Sequence, residues 1–201
     1  MKTFLSVMAA VVLLPVAHAG AASGDIEAGR ARAKICAGCH GANGISASPG
    51  IPSLAGQRDQ FLQWQLVFFR SGRRPNLLMG PIITQLSDAD IRNLGAYYAS
   101  LPANTAPAGA KPDEAARAKG QQIVADHHCA NCHTDSLRGE RAAASIADQR
   151  EDYLIKALTD YRSGARPSVG VAAMTEAASG LNDEEIVAIA KYVATFQPAE
   201  K

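Results

Sequence analysis

The sequence predicts an all-α fold made of two tandem copies of one small helical domain. Three observations support this prediction. Short segments recur along the chain at a nearly constant distance. No segment alternates between apolar and polar residues over more than a few positions, as a half-buried strand does. A proline-rich stretch at residues 102–112 separates the two copies.

The internal repeat sets the domain boundaries. The recurring segments are SLAGQR and SIADQR at 53–58 and 145–150, RSGRRP and RSGARP at 70–75 and 162–167, and LSDADI and LNDEEI at 86–91 and 181–186. The first two pairs are 92 residues apart and the third pair 95. We therefore expect an N-terminal domain at 24–101 and a C-terminal domain at 113–201. Residues 102–112, with three prolines, are expected to form an extended, semi-rigid linker.

Each copy is expected to contain three main helices. The first helices are predicted to begin at Asp25 and Asp113, which are suitable N-cap residues. The middle helices are expected at about 60–69 and 152–161. The last helices are predicted to start at a polar N-cap with an acidic residue three positions later, which is close to a capping box. These pairs are Ser87 with Asp90 and Asn182 with Glu185.

The N-terminus predicts export. Lys2 precedes an apolar run from Met8 to Leu14, and Ala17-His18-Ala19 fits a signal-peptidase site. The alternative is an uncleaved membrane anchor, but the run is shorter than the roughly 20 residues that a spanning helix needs. We expect residues 1–19 to be a cleaved signal peptide and the protein to be periplasmic. No later segment is apolar enough to cross a bilayer, although peripheral membrane association stays open.

Charge argues against a nucleic-acid partner. Without Lys2 the chain has 19 basic and 19 acidic side chains, so its net charge is near zero. The charges are nevertheless uneven, with a net +3 over residues 25–101 and −3 over residues 111–201. This division is either ordinary scatter or a molecular dipole that orients the protein toward charged docking surfaces.

The four cysteines lie in two identical frames, each followed by a histidine. The frames are Cys36-Ala-Gly-Cys39-His40 and Cys129-Ala-Asn-Cys132-His133. C-x-x-C-H is the attachment signature of haem c. Two thiols on one helical turn can form thioethers with the two vinyl groups of one porphyrin, and the following histidine can ligate the iron. The sequence therefore predicts two covalently bound haem c groups, one in each domain.

Three other uses of these cysteines are possible in principle. A thioredoxin-type redox pair is usually found near a strand–helix unit, which the sequence does not predict. A zinc site would be short of ligands, because the two pairs lie in separate copies. Structural disulfides suit an exported protein but do not explain the histidine after each pair.

The second axial ligands of the irons follow by elimination. Met79 and Met174 are the only methionines outside the signal peptide, and each lies shortly before the last helix of its copy. His127 and His128 directly precede the second attachment segment, on the wrong side to reach the distal position. We therefore predict His40 and Met79 as axial ligands of the first iron, and His133 and Met174 as those of the second. Two closed six-coordinate irons favour electron transfer over catalysis.

The chain resembles the cytochrome c4 family of tandem dihaem class I cytochromes c, and the resemblance covers both copies. The resemblance rests on CAGCHG at 36–41, PSLAGQ at 52–57, FRSGRR at 69–74, Met79, LSDADI at 86–91 and Tyr97-Tyr98. It implies two helical domains, each wrapped around a covalently bound haem. It also implies a periplasmic carrier that takes electrons from a bc1-type complex or a dehydrogenase and delivers them to a terminal oxidase.

The resemblance also assigns packing and proximal contacts. Gly29 with Tyr97, and Gly120 with Tyr192, match the family's contact between the first and last helices. Pro52 matches the proline whose carbonyl accepts the N–H of the haem histidine. The second copy departs from the pattern in that Thr134 follows its haem histidine, and in that Ala144 and Asp148 replace the equivalents of Pro52 and Gly56.

Two alternative functions stay open at this point. The chain could be the cytochrome subunit of a periplasmic dehydrogenase, such as the flavocytochrome c type that oxidises sulfide. It could also be a dihaem peroxidase, but that enzyme needs one open or switchable iron, which Met79 and Met174 oppose.

Overall fold

The computed structural model describes residues 24–103, 114–168 and 174–196. The helices are α1 (Ile26–Arg32), α2 (Ala37–His40), α3 (Asp59–Arg70), α4 (Met79–Ile83), α5 (Asp88–Ser100), α6 (Glu114–Asp126), α7 (Ala130–His133), α8 (Glu151–Arg162), α9 (Met174–Ser179) and α10 (Asp183–Ala194). The described residues contain helices and turns but no strands, which confirms the all-α prediction. The predicted signal peptide, most of the linker and the N-cap at Asp113 lie outside the described residues.

The predicted N-caps are present wherever the structure describes them. The Asp25 carboxylate accepts hydrogen bonds from the backbone amides of Glu27 and Ala28 at the start of α1. Complete capping boxes open the last helix of each copy, formed by Ser87 with Asp90 and by Asn182 with Glu185. These contacts satisfy backbone amides that have no partner within the helix. The local sequence therefore fixes where these helices begin.

The middle helices extend one residue beyond the prediction at each end. They run over Asp59–Arg70 and Glu151–Arg162. Each starts with an acidic residue and ends with an arginine, an arrangement that complements the helix dipole. In contrast, α1 is only seven residues long, and a 3₁₀ turn at Ala33–Ile35 follows it.

In each copy the first and last helices cross at a glycine. A Cβ atom on Gly29 would lie 2.0 Å from the Asn93 carbonyl oxygen and 2.7 Å from the Tyr97 Cβ atom. A Cβ atom on Gly120 would lie 2.6 Å from the Tyr192 Cβ atom. Only glycine allows the two backbones to approach so closely. The predicted glycine–tyrosine contacts are therefore confirmed in both copies.

Each copy has its own hydrophobic core, built mainly on its last helix. In the first copy, α5 packs against α1 and α3, and Leu94 and Ile83 are almost fully buried. In the second copy, α10 packs against α6 and α8, and Ile186 and Val193 are almost fully buried. Within the described residues, no helix is long and apolar enough to cross a membrane.

The two copies are joined by hydrogen bonds that repeat under an approximate twofold symmetry. The Gln57 side chain binds both backbone groups of Ser145, with its Nε2 2.8 Å from the carbonyl oxygen and its Oε1 2.6 Å from the amide nitrogen. Gln149 binds Ser53 in the same way, at 2.9 Å for both contacts. All four residues are buried. The interface between the two copies is therefore formed by specific hydrogen bonds. The same recurring segment contributes to both halves of this interface.

Candidate haem sites

The first attachment segment forms a short helical turn that presents its two thiols on one side. Cys36 is half-buried and precedes α2, whereas Cys39 is exposed within α2. Both are free thiols. Burial raises the pKa of the Cys36 thiol, although the Tyr98 hydroxyl and Arg32 act in the opposite direction. The segment thus presents two sulfur atoms about one helical turn apart.

His40 ends α2 and is held in one orientation. Its ring is 6% exposed, and its Nδ1 lies 2.8 Å from the Pro52 carbonyl oxygen. A carbonyl oxygen can only accept, so Nδ1 carries the proton and Nε2 keeps its lone pair. Burial lowers the pKa of His40, although the hydrogen bond to Pro52 opposes that effect. A neutral imidazole with a free Nε2 lone pair is the form that binds a metal.

The second attachment segment repeats this arrangement without the proline. Cys129 is half-buried, Cys132 is exposed and both are free thiols. His133 is 8% exposed, and its Nδ1 lies 2.8 Å from the Ala144 carbonyl oxygen. Burial also lowers the pKa of His133. The distance to the accepting carbonyl equals that in the first copy, so the proline ring is not needed to place the acceptor.

The donor set fits haem c better than the alternative groups. All four cysteines are described and none forms a disulfide, which leaves the thiols available for thioether bonds. Among the described residues, no cluster of three or more histidine, cysteine and acidic side chains could hold a bare metal ion. The absence of strands from the described ranges also argues against a thioredoxin-type site.

The two methionines occupy equivalent places, held by different contacts. Met79 begins α4 and packs against the first core together with Cys36. Its amide donates to the Asn76 side-chain oxygen at 2.9 Å. Met174 begins α9, directly after residues 169–173, which lie outside the described part of the chain. The next amide, of Thr175, donates to the Ser168 hydroxyl at 2.7 Å.

The other histidines of the second copy lie between α6 and the attachment segment. His127 and His128 follow the end of α6, and both are exposed. His128 also has a positive φ of 51°, which ends the helix just before the attachment segment. The choice of Met174 over either histidine stays a prediction.

The residues that join the two copies were not among the predicted functional residues. Gln57, Gln149, Ser53 and Ser145 were recognised only as matching letters of the repeat. The available signal for these contacts was that a serine and a glutamine recur in both copies of a segment that otherwise differs. The contacts themselves link residues 88 or 96 positions apart, which local patterns do not predict.

Comparison with known proteins agrees with this description. The family described as Cytochrome c matches residues 26–102 and 117–197. The chain is 34% identical over 198 residues to cytochrome c4 of Pseudomonas aeruginosa, covering 96% of this chain and 97% of that protein. The crystal structure of reduced recombinant cytochrome c4 from Pseudomonas stutzeri superposes with a TM-score of 0.77 at 28% identity. That superposition covers 87% of this chain and 100% of the other.

Two further relatives carry names that refer to thiosulfate oxidation. The chain is 32% identical over 177 residues to a thiosulfate dehydrogenase electron acceptor of Stutzerimonas stutzeri, covering 84% of this chain and 82% of that protein. It also superposes on thiosulfate dehydrogenase (TsdBA) from Marichromatium purpuratum with a TM-score of 0.73 at 31% identity. In that case it covers 85% of this chain but 40% of the other.

Proposed function

Because the chain belongs to the cytochrome c4 family of tandem cytochromes c, we propose that it is a periplasmic electron carrier of a respiratory chain. In this proposal it accepts electrons from a bc1-type complex or a dehydrogenase and delivers them to a terminal oxidase. Residues 1–19 would direct export and be removed. The domains proposed are 24–101 and 113–201, with the linker at 102–112.

Each domain binds one haem c through its C-x-x-C-H segment, and the protein transfers electrons rather than catalysing a reaction. The haem iron supplies a one-electron couple. The protein contributes the tether and the orientation. The cysteine pairs, Cys36 with Cys39 and Cys129 with Cys132, fix the group covalently. Pro52 and Ala144 fix the tautomer and ring orientation of the proximal histidines through their carbonyl oxygens.

We further propose His40 with Met79, and His133 with Met174, as the axial ligand pairs. The support is that both histidine rings are neutral and oriented, and that each copy has one methionine at the start of the helix before its last one. Histidine–methionine ligation raises the reduction potential relative to two histidines, which suits a carrier late in a respiratory chain.

Methionine ligation has a direct spectroscopic test. The oxidised holoprotein is expected to have the near-infrared sulfur-to-iron charge-transfer band, and Met79→His and Met174→His should each remove about half of its intensity. A wild-type protein without this band would contradict the methionine assignment. That result would not contradict covalent haem attachment, which is measured separately as a mass increase of two haems.

The observation that carries the electron-carrier proposal is the presence of two complete haem-binding segments on domains that are locked together by buried hydrogen bonds. Electron delivery can be tested with the reduced holoprotein and membranes of the native host. We expect rapid reoxidation that is abolished by cyanide. Reoxidation at the same slow rate with and without membranes would contradict the terminal-oxidase route.

A second candidate is the electron acceptor of a periplasmic dehydrogenase. Its support is the likeness to thiosulfate dehydrogenase electron acceptors and to the thiosulfate dehydrogenase structure. Oxidised holoprotein can be mixed with periplasmic extract and with thiosulfate or sulfide. Reduction that depends on the added sulfur compound would favour this role, as would co-purification of a flavoprotein for the flavocytochrome type. No reduction by either compound would leave the bc1-type donor.

A further inference from the structure

The Gln57 side chain of the first domain binds the peptide group that holds the haem histidine of the second domain. Its Oε1 accepts from the Ser145 amide at 2.6 Å, and its Nε2 donates to the Ser145 carbonyl oxygen at 2.8 Å. The Ser145 amide shares one peptide group with the Ala144 carbonyl, whose oxygen lies 2.8 Å from Nδ1 of His133. A continuous chain of hydrogen bonds therefore runs from Gln57 through this peptide group to His133.

The Gln149 side chain of the second domain makes the reciprocal chain. Its Oε1 accepts from the Ser53 amide and its Nε2 donates to the Ser53 carbonyl oxygen, both at 2.9 Å. The Ser53 amide shares one peptide group with the Pro52 carbonyl, whose oxygen lies 2.8 Å from Nδ1 of His40. The arrangement is therefore crossed, because each glutamine belongs to one domain and the histidine that it reaches belongs to the other.

Both glutamines are held in a single orientation. Gln57 is 6% exposed and Gln149 is 7% exposed. Each Oε1 also accepts from the amide of the following residue, Arg58 at 2.9 Å and Arg150 at 3.0 Å. Two amides at Oε1 and one carbonyl oxygen at Nε2 fix which way the side-chain amide points. The contacts to the other domain are thus made by rigid groups.

We propose that Gln57 and Gln149 are positioning residues that act across the domain interface, each on the haem histidine of the other domain. Gln57 acts on His133, and Gln149 acts on His40. The proposal rests on iron ligation by these two histidines, as proposed above. It does not depend on which proteins donate and accept the electrons.

The direction of the effect follows from the polarity of the hydrogen-bond chain. A peptide N–H that donates to a glutamine makes the carbonyl of the same peptide group a stronger acceptor, because linked hydrogen bonds polarise one another. A stronger acceptor at Nδ1 makes the imidazole a more basic iron ligand. A more basic ligand favours ferric iron, which carries one more positive charge than ferrous iron. Each glutamine therefore lowers the potential of the haem in the other domain, and its removal should raise that potential.

The second domain should depend more strongly on its glutamine partner than the first. In the first domain, the ring of Pro52 fixes the φ angle of that residue. The Ser53 hydroxyl also accepts from the Ser46 amide of the same domain at 3.1 Å. In the second domain, Ala144 stands in place of the proline. Loss of Gln57 should thus have a larger effect than loss of Gln149.

Redox titration of holoprotein variants tests the crossed effect. Gln57→Leu should raise the potential of the haem held by His133 and leave the other haem nearly unchanged. Gln149→Leu should raise the potential of the haem held by His40, by a smaller amount. Combining each variant with the methionine-to-histidine variants described above assigns the two waves.

A glutamine bonded within its own domain provides the matched control. The Gln63 Nε2 donates to the Asp59 carboxylate of the same helix at 2.7 Å. Gln63→Leu removes the same chemical group without breaking a contact between the domains. Both potentials should keep their wild-type values in this variant.

Proton exchange measured by NMR on the reduced holoprotein gives a second readout that does not use the potentials. Gln57→Leu should speed exchange of the His133 Nδ1 proton with solvent and leave that of His40 unchanged, because only one of the two acceptors is weakened. Gln149→Leu should give the opposite pattern. Gln57→Asn is a milder variant that keeps the amide group but is one methylene shorter, so it cannot hold both groups of Ser145. It should give the same crossed response at reduced size.

The crossed pattern separates positioning from a merely structural role. General loosening of the interface would change both haems alike in Gln57→Leu and in Gln149→Leu, and that result would overturn the proposal. Unchanged potentials and exchange rates in both variants would overturn it as well. A wild type without two Nδ1 proton signals from axial histidines would contradict the ligation by His40 and His133, and this proposal with it. Intact signals with an uncrossed response would overturn this proposal alone.

Discussion

The two attachment loops share a backbone shape but not the residues that ordinarily permit it. In the first copy, Gly41, Gly44 and Gly56 have φ values of 82°, 72° and 67°. At the equivalent positions of the second copy, Thr134, Leu137 and Asp148 have φ values of 66°, 52° and 56°. Positive φ is unfavourable for residues with a Cβ atom. The surrounding structure therefore imposes the loop shape. In the second copy, three residues with side chains adopt strained φ values as a result.

Backbone hydrogen bonds account for the common shape. The Gly44 carbonyl accepts from the amides of Leu54 and Ala55 at 2.7 and 3.0 Å. The Leu137 carbonyl accepts from the amides of Ile146 and Ala147 at 2.8 and 3.0 Å. These bonds bring the segment carrying the histidine's carbonyl partner next to the histidine. The same geometry around His40 and His133 is thus built by the backbone and tolerates different side chains.

In each core, the size of the residue at the second glycine position of the loop is matched by the size of a neighbouring residue on the last helix. A Cβ atom on Gly44 would lie 3.1 Å from ring atoms of Tyr98, which fills this region in the first copy. The second copy has Leu137 in place of the glycine and Val193 in place of the tyrosine. Both are almost fully buried. A large residue opposite glycine is therefore replaced by two residues of intermediate size, so the change at one position is offset by the opposite change at the other.

The largest effect is expected from removing the leucine of this pair. Leu137 is 2% exposed, so Leu137→Ala should lower the free energy of unfolding by about 2–5 kcal/mol through a buried cavity. Denaturant unfolding of the holoprotein measures this change. Leu77→Ala is the control, because Leu77 is 96% exposed and its truncation should leave stability nearly unchanged. Equal effects of the two variants would refute the packing argument.

The volume exchange can be transplanted into the first copy. Gly44→Leu alone should be strongly destabilising, because it overpacks the Tyr98 ring and places a side chain at positive φ. In combination with Tyr98→Val, the loss should be smaller than the sum of the two single losses by roughly 0.5–3 kcal/mol. A double-mutant cycle on holoprotein unfolding gives this coupling. Strict additivity would mean that the two positions do not exchange volume.

Local signals in the sequence predicted the helix starts better than the contacts between the two domains. Asp25, Ser87 and Asn182 marked helix starts correctly because an N-cap needs contacts only within one turn. The free thiols and the buried, oriented histidines agree with the C-x-x-C-H interpretation. The hydrogen bonds of Gln57 and Gln149 could not be predicted, because they join residues of both domains and form only when the domains pack. The short helices α4 and α9 were also missed, since neither has a long periodic pattern.

A smaller effect is expected where the second copy carries strain without an obvious benefit. Thr134 has φ 66° and ψ 164°, in a region that is almost restricted to glycine. Thr134→Gly should therefore stabilise the holoprotein by about 1 kcal/mol, measured from its denaturation midpoint. Gly41→Ala, the reciprocal change, should destabilise the protein, because its Cβ atom would lie 2.0 Å from the Ile45 carbonyl oxygen. Destabilisation by Thr134→Gly would show that the Thr134 side chain contributes more than its strain costs.

The smallest expected difference between the copies is in the reduction potentials of their haems, the property most directly related to function. Residues 25–101 carry a net +3 and residues 111–201 a net −3, so the second domain favours the ferric state more strongly. The equal distances to the Pro52 and Ala144 carbonyl oxygens indicate that proximal hydrogen bonding does not offset this charge difference. Salt screens surface charges over about 8–10 Å, so the separation of the two potentials should be modest.

A redox titration of the wild-type holoprotein at fixed pH, compared with Met79→His and Met174→His, measures this difference directly. Each variant should lower the potential of one haem and leave the other nearly unchanged, which assigns each wave to a domain. Two similarly built haem sites in differently charged domains should give two waves, with the lower potential at the haem held by His133 and Met174. A single unresolved wave, or a higher potential at that haem, would contradict the account.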